Sequence, residues 1–373
     1  MKIPFSKFVS GRESHSNVSD VLDGENIDQV KELEKEFSQY IGSKYALATS
    51  HGTSALHLAM LALDLKRGDK VVCSVNAHPS IPEVVRHFDA EPIFIDIEAQ
   101  TYNINIELLE NYLKNNSSKK LKAVIVSHIG GNCVDLEKVY AMAKSYDVKI
   151  VEDASDALGV TYKDTKIGAT GADITCFDFS PHMKKNICNG GMLVSDDAEI
   201  IERAKLLSNH AITRKDTNLE YIYDVVDIGN DYSISELNAA YIRAQLTQQD
   251  DNIKRQHEIA QIYNKALSDV AHITIPSDSS KTTPYSLYIV KIDKNRDSFA
   301  SELHKVGIQT ALHYIPLHLL NYYKSKYSLK VNDFPVALQS YQQILSLPIY
   351  PSMSDKEVKF VCDKIKKIAL SRV

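Results

Sequence analysis

Two adjacent lysines, Lys184 and Lys185, lie inside the stretch Gly171 to Ser195, GADITCFDFSPHMKKNICNGGMLVS. Before them, Ile174, Cys176, Phe177 and Phe179 read as a strand that halts at Ser-Pro; after them, Asn-Gly-Gly opens a second apolar run, Met-Leu-Val. A lysine on a polar loop at a strand end can condense with an aldehyde. A neighbouring hydroxyl and the backbone N–H groups can take a phosphate at the same time. A solvated surface pair is the plainer reading of Lys-Lys, so the rest of the chain must supply the rest of a site. Two other groups could do so. Ser50-His51-Gly52-Thr53-Ser54 joins an apolar strand to an Ala/Leu-rich helix, and the first N–H groups and dipole of a helix favour an anion. Thr53 or Ser54 could equally be a plain N-cap. Asp153 follows Lys-Ile-Val-Glu; such a carboxylate can keep a heterocyclic nitrogen protonated, or simply cap the helix beginning at DASDALG.

Groups like these need a scaffold, and from Lys70 the chain alternates strand and helix. KVVCSV, PIFIDI, KAVIVSHIGG and VKIVEDAS read as strands; PSIPEVVRHF, ELLENYLKN and LEKVYAMAKSYD read as helices. Val/Ile-rich strands in this alternation predict an α/β fold with a mainly parallel sheet covered on both faces, hence three layers. Ligands in such sheets sit beyond the carboxyl ends of the strands. Ser127-His128, the run Asp153 to Asp156 and the loop Ser180 to Lys185 all fall there. An amphipathic helix over 26–41 precedes the alternation. Helices over 197–209, at SISELNAAYIRAQL and over 250–268 follow it. The pattern then changes: ITIPSDSSKTTPYSLYIVKI predicts strands, DSFASELHKVGI a helix, QTALHYIPLH a strand and turn, and the last residues an amphipathic helix. Two domains are expected, a large one over 1–250 and a smaller C-terminal α+β domain over 251–373.

The net charge of −5 over 373 residues is spread evenly, which gives no reason to expect nucleic acid or an anionic membrane as partner. No apolar run approaches the ~18 residues that span a bilayer, and MKIPFSKFVSGRESHS lacks the apolar core of a signal peptide. Five scattered cysteines without a CxxC pair are expected as reduced thiols of a cytoplasmic protein, with no metal site.

In order and spacing, EFSQYIGSKYALATSHGTSALHLAMLAL, DAEPIFIDI, HIGGNCVDLEKV, VEDASDALG, NGGMLVSDD, LLSNHAITRK, HYIPLH and LPIYPSMSDKEV resemble the DegT/DnrJ/EryC1/StrS sugar aminotransferases, of pyridoxal-phosphate fold type I. The resemblance covers nearly the whole chain. It implies a PLP-transferase large domain, pyridoxal 5′-phosphate as cofactor and a homodimer. The implied reaction moves an amino group, from glutamate by analogy, to a keto sugar carried on a nucleotide for glycan biosynthesis. By the same resemblance, Gly52 and Thr53 cradle the phosphate and Asp153 pairs with the pyridine nitrogen. Asp156 falls near the ring hydroxyl and His78 where an aromatic ring stacks on the cofactor. His210, His313 and His318 fall near the substrate.

The departures cluster in the lysine stretch. Aligned without gaps on the family pattern CFSFHPVKNITTGEGG, Asp178 takes the place of the phosphate-binding serine and Met183 that of the lysine. Methionine forms no imine, and a carboxylate repels a phosphate. Aligned on SPHMKKNI instead, Ser180, His182, Lys185, Asn186 and Ile187 match, at the cost of two inserted and two deleted residues. Lys185 is then the nucleophile, with Lys184 one register away. Asp231 and Ser233 replace the Asn and Arg of a segment that reaches the neighbouring subunit's cofactor, a role open to Asn230. The N-terminal LDGENIDQ is shorter than the family's substrate loop. Two alternatives to transamination therefore stand at this point: a pyridoxamine-phosphate-dependent sugar dehydratase using His182, and a degenerate, non-catalytic family member.

Overall fold

The computed structural model describes residues 1–7, 10–24, 28–179, 188–214, 221–276 and 285–372. Helices α1 (Arg12–Leu22) and α2 (Gln29–Ile41) lead into the alternating run. It comprises β1 (Tyr45–Thr49), α3 (Gly52–Ala62), β2 (Lys70–Ser74), α4 (Ser80–Arg86), β3 (Glu91–Ile95), α5 (Ile106–Asn116), β4 (Leu121–Ser127), α6 (Leu136–Tyr146) and β5 (Lys149–Asp153). A small hairpin, β6–β7 (Thr161–Tyr162 and Thr165–Lys166), precedes β8 (Ile174–Asp178), β9 (Gly191–Ser195) and α7 (Ala198–Leu207).

Seven of these strands form one sheet in the order β1-β9-β8-β5-β4-β2-β3. From β8 to β3 every neighbouring pair is parallel; β9 runs antiparallel to both β1 and β8. Side chains alternate between two apolar clusters, one on each face. Val71, Ile125, Ile174 and Leu193 join the first, while Val72, Val124, Phe177 and Val194 join the second. Both faces are therefore covered, and the three-layer, mainly parallel α/β sheet expected from the sequence is the fold observed.

A second hairpin, β10 (Ile212–Arg214) with β11 (Tyr223–Val225), follows, then α8 (Glu236–Leu246) and the long α9 (Gln249–Leu267). A three-stranded antiparallel sheet comes next, of β12 (Ile273–Thr274), β13 (Tyr288–Ile292) and β14 (Ile344–Leu347). Helices α10 (Arg296–Lys305), α11 (Asn321–Lys326) and α12 (Pro335–Gln343) lie between β13 and β14, and α13 (Asp355–Leu370) closes the chain. This unit has its own core, drawn from Ile259 to Ala369. Ile3 belongs to it as well: it bridges to Ile308, and its N–H donates to the Gly307 carbonyl at 2.8 Å.

Three local expectations differ from the structure. Helix α1 is not expected from the sequence; it packs on α8, with Val18 against the second apolar cluster and polar contacts that include Gln245 Nε2 to Ser14 Oγ at 2.9 Å and Asn17 Nδ2 to the Ala240 carbonyl at 3.4 Å. The β10–β11 hairpin lies in a segment read from the sequence as a polar region rich in Asp, Tyr and Asn, although its second strand falls within the apolar-rich YIYDVVDI. HYIPLH forms no strand; Ala311 makes an isolated bridge to Ser346, and a single 3-10 turn follows at Leu317–Leu319. Among the described residues, no helix is long and apolar enough to cross a membrane, and no cluster of His, Cys, Asp and Glu could hold a metal ion.

Candidate active site

Ile150, Val151 and Glu152 of β5 are buried, and the strand presents Asp153 at its carboxyl end, directly opposite Ser127 of β4. Ser127 Oγ donates to one carboxylate oxygen at 3.2 Å; Ser155 donates to the other through Oγ at 2.6 Å and N–H at 3.2 Å. Burial pushes the Asp153 carboxyl above the ordinary carboxylate range. The Ser155 hydroxyl pulls it back, and the Asp156 charge adds to the rise. A protonated heterocyclic nitrogen would meet it with the opposite charge. Glu152 points to the other face, wholly buried. It accepts from Tyr140 Oη and Thr175 Oγ1 and lies 3.4 Å from His128 Nε2. The strand end is thus held from both faces, which fixes where Asp153 can point.

The head of α3 lies beside the ends of β8 and β9. Thr49 Oγ1 donates to the His51 carbonyl at 2.9 Å, and Ser50 N–H donates to the Tyr232 carbonyl at 2.8 Å, bracing the turn before the helix. Two glycines make the close approach possible. A Cβ on Gly191 would fall 2.4 Å from the His51 carbonyl oxygen. One on Gly52 would fall 2.5 Å from Asp178 Cβ and 2.8 Å from Asp178 Oδ2. The first-turn N–H groups of a helix lack partners within it and suit an anion. Here a carboxylate of the chain itself lies against that turn.

Between these points and the C-terminal unit lies a cavity of about 230 Å³, whose lining includes Ser155, Asp156, Asp178, Lys7, Gln249 and Tyr350. Asp156 is buried and accepts from Gly130 N–H at 2.9 Å. Tyr314 reaches the same region: its N–H donates to Asn76 Oδ1 at 3.1 Å, and its ring meets that of His78 edge-on at 6.0 Å. Burial holds the Tyr314 phenol far above its usual range, with the charges of Asp156, Asp153 and Asp178 adding to the effect. Tyr314 stays protonated and is a donor. A second cavity, of about 380 Å³, shares Lys7, Leu158, Phe179, Gln249 and Asn252 with the first and extends it along the α8–α9 junction.

The sequence-predicted residues distribute as follows. Gly52, Thr53, Asp153 and Asp156 converge at the carboxyl edge of the sheet, and His78 stands beside Tyr314. His313 is buried, with Nδ1 2.8 Å from Ser346 Oγ, and stacks on Phe5, which lines the cavity. His318 is fully buried against Phe334, with Nε2 3.1 Å from the Val331 carbonyl oxygen, and does not line the cavity. His210 is exposed, and its N–H donates to the Asn230 carbonyl at 3.2 Å, so these two share one loop. Ser180, His182, Lys184 and Lys185, with Met183, lie outside the described residues. Ser127 and Ser155 belong to the polar clusters expected at the strand ends, without an assigned role; Tyr314 was not singled out from the sequence. It adjoins His313, which is the signal available for it.

Beyond this geometry, the DegT/DnrJ/EryC1/StrS aminotransferase family matches residues 10–366. The chain belongs to that family. Its members are pyridoxal-phosphate-dependent sugar aminotransferases. The chain is 33% identical over 384 residues to the spore coat polysaccharide biosynthesis protein SpsC of Bacillus subtilis, covering 98% of this chain and 97% of SpsC. It is 29% identical over 342 residues to GDP-perosamine synthase of Escherichia coli O157:H7, covering 91% and 89%. The aminotransferase PseC of Helicobacter pylori, involved in pseudoaminic acid biosynthesis, superposes with a TM-score of 0.90 over 100% of both chains at 22% identity, and so shares the fold.

Pyridoxal 5′-phosphate is this family's cofactor, and the residues present can be set against it. The ring end fits: Asp153 is enclosed, fixed and charged opposite to a pyridinium. The phosphate end fits in its backbone, with Gly52 at the head of α3, and is opposed in charge by Asp178. Two unit charges 4 Å apart interact by about 4 kcal/mol at an effective dielectric of 20.

Proposed function

We propose that this family member aminates a keto sugar carried on a nucleotide, with glutamate as amino donor, and that it works as a homodimer. The observation that carries the reading is Asp153, fixed at the end of β5 by Ser127 and Ser155, next to Ser155 and Asp156, which line the cavity together with Asp178 from beside the head of α3. When bound, the cofactor supplies an electron sink for breaking and making carbon–nitrogen bonds. The chain's own part is positional and electrostatic. Asp153 holds a proton on the ring nitrogen. Ser127 and Ser155 keep that carboxylate in one orientation, and Asp156 and Tyr314 occupy the wall toward the substrate side. Lys185, or Lys184 one register away, is assigned the amine that shuttles a proton to and from substrate carbon. Lys7 offers an ammonium to an anionic substrate. A polysaccharide or glycan pathway as destination is supported by the names of SpsC and GDP-perosamine synthase.

Two experiments test this. Cofactor-loaded protein reduced with borohydride and mapped by peptide mass is expected to carry the adduct on Lys185. An adduct on Lys184 shifts the role by one residue, and none on either lysine overturns the lysine assignment. Amination of a panel of keto sugar nucleotides with glutamate is then scored by mass; no product from any of them overturns the substrate class. For the dimer, the β10–β11 region exposes Tyr221, Tyr223, Val225, Val226 and Ile228 close together, an apolar surface suited to a second copy. Sedimentation is expected to show a dimer that Ile228→Lys weakens; a monomeric wild type overturns it.

A further inference from the structure

Asp156 and Tyr314, set above on the wall toward the substrate, come from distant parts of the chain, the stretch after β5 and the C-terminal unit. We infer that the turn over residues 98–103 braces both of them, with Asn76 and Asn103 as positioning residues that fix the spacing of the two groups for transamination. The inference rests on the substrate reading proposed above.

The turn follows β3 and is closed on itself. Ile97 and Ile104 bridge across its base, Tyr102 N–H donates to the Glu98 carbonyl at 2.9 Å, and Glu98 N–H donates to the Asn103 carbonyl at 2.9 Å. Tyr102 is buried and carries a φ of +63°, in the left-handed region that favours glycine. A bulky side chain persists there only where its surroundings over-determine it, and such positions gather at functional sites. The Tyr102 carbonyl accepts from Asn76 Nδ2 at 3.3 Å, and Asn76 Oδ1 in turn accepts from Tyr314 N–H at 3.1 Å. A second tie, from Leu317 N–H to the Val75 carbonyl at 2.9 Å, lays the same segment along the end of β2.

Asn103, the next residue, reaches the other way. Its Nδ2 donates to the Asn132 carbonyl at 2.7 Å, and its Oδ1 accepts from Ile129 N–H at 2.8 Å. Those bonds hold the tight turn whose Gly130 N–H donates to Asp156 Oδ2 at 2.9 Å. Both asparagines are buried, so Tyr314 and Asp156 are joined through one turn by side chains shielded from water.

An asparagine that only stabilised the fold would show its loss in stability alone. Bracing adds a loss in rate. The Tyr314 hydroxyl stands at the far end of the ring from the backbone that Asn76 holds, so a small rotation there is magnified at the hydroxyl. A misplacement of about 1 Å in a positioned group costs on the order of 100-fold in rate. That part of the loss requires the hydroxyl and disappears when the hydroxyl is already gone. The same argument ties Asn103 to the Asp156 carboxylate.

A double-variant cycle tests this, with cofactor-loaded wild type, Asn76→Ala, Tyr314→Phe and the combined variant, each checked for cooperative thermal unfolding. The probe is whichever keto sugar nucleotide of a panel the wild type aminates fastest with glutamate. Each single variant is expected to lower kcat/KM about tenfold or more, and the combined variant to fall within about threefold of Tyr314→Phe. A second readout needs neither cofactor nor substrate. With tyrosine-selective isotope labelling, the Tyr314 amide is identified by its absence from Tyr314→Phe. It should exchange with solvent about tenfold faster in Asn76→Ala. Asn103→Ala, measured in the same way against Asp156→Asn and the Gly130 amide, gives an independent cycle should Asn76→Ala not fold. An Asn76→Ala loss undiminished in the Tyr314→Phe background, or a Tyr314 amide that exchanges as in the wild type, would overturn the inference and leave the substrate reading intact. Tyr314→Phe with wild-type activity would overturn it too. If the wild type aminates no member of the panel, the substrate reading falls, and the exchange of Tyr314 alone decides whether Asn76 holds it.

Discussion

Two aspartates stand at the carboxyl ends of neighbouring parallel strands, Asp153 on β5 and Asp178 on β8, and their surroundings give them opposite tasks. Asp153 is ringed by hydroxyls and set where a cation is wanted; Asp178 lies over a helix head, where an anion is wanted and where it is itself the anion. The same side chain is thus a partner at one end of the site and a competitor at the other. Burial alone does not distinguish them. Both meet donors or a positive helix end; what distinguishes them is the ligand group expected beside each, a ring nitrogen at Asp153 and a phosphate at the helix head beside Asp178.

The sharpest way to break this comparison is Asp153→Asn. Losing a charge-assisted contact to a ring nitrogen is expected to cost about 2–4 kcal/mol, or roughly 30- to 1,000-fold in cofactor affinity, read by fluorescence titration. The cofactor-free protein should respond the other way. The Asp153 carboxyl is raised in the folded state, so its ionised form is a burden near neutral pH, and wild-type stability rises as pH falls through that raised value. Asp153→Asn should therefore unfold at a higher temperature near pH 7, by an amount on the order of 1 kcal/mol, and lose that acid-side gain.

Next in size are the two glycines that bring the β8 and β9 ends onto α3. Gly191→Ala would drive a methyl into the His51 carbonyl and is expected to cost about 2–3 kcal/mol in urea unfolding. Gly52→Ala meets the Asp178 side chain instead and should cost about 1–2 kcal/mol. The closest clash is with Asp178 Cβ, so adding Asp178→Gly, which removes it, should recover part of the loss; strict additivity of the two would place Asp178 away from Gly52.

The smallest expected effect concerns α3 alone. His57 Nδ1 lies 2.5 Å from Tyr232 Oη, and burial, with the His87 charge adding, pushes the imidazole down to about 4. The unfolded chain takes that proton near pH 6.5, so stability falls as pH drops from there toward 4. His57→Gln should flatten that slope in thermal scans and leave the stability gained at Asp153 untouched.

Asp153 was legible because its signals are local: a Val/Ile run ends in a carboxylate, and DASDALG follows at once. Gly52 was legible for the same reason, as a glycine between a strand and an Ala-rich helix. Asp178 was legible as a departure from the family pattern at the phosphate position. Its contact with Gly52 was not, because the two are far apart in sequence. They meet because α3, which follows β1, packs across β9 and β8. Helix α1 was missed in part because it is held by side-chain contacts to α8 such as Gln245 to Ser14, and the β10–β11 hairpin because its strands are three residues each with none buried. HYIPLH offered two histidines and a tyrosine; the fold sends His318 inward and brings Tyr314 to the site, a choice set by the turn at Leu317 and the bond to Asn76.

Asp178 and Gly191 are a ladder pair, and Phe179 and Gly190 continue it, so the connection between them leaves from and returns to one point beside α3. That arrangement works like a cassette socket. Its rim is fixed by backbone contacts that tolerate little change. Selection could rewrite the insert, exchanging one reactive side chain for another or moving it by a residue, without refolding the sheet. Departures from the family pattern at Asp178 and Met183 fall at the rim of that socket and in the connection it holds.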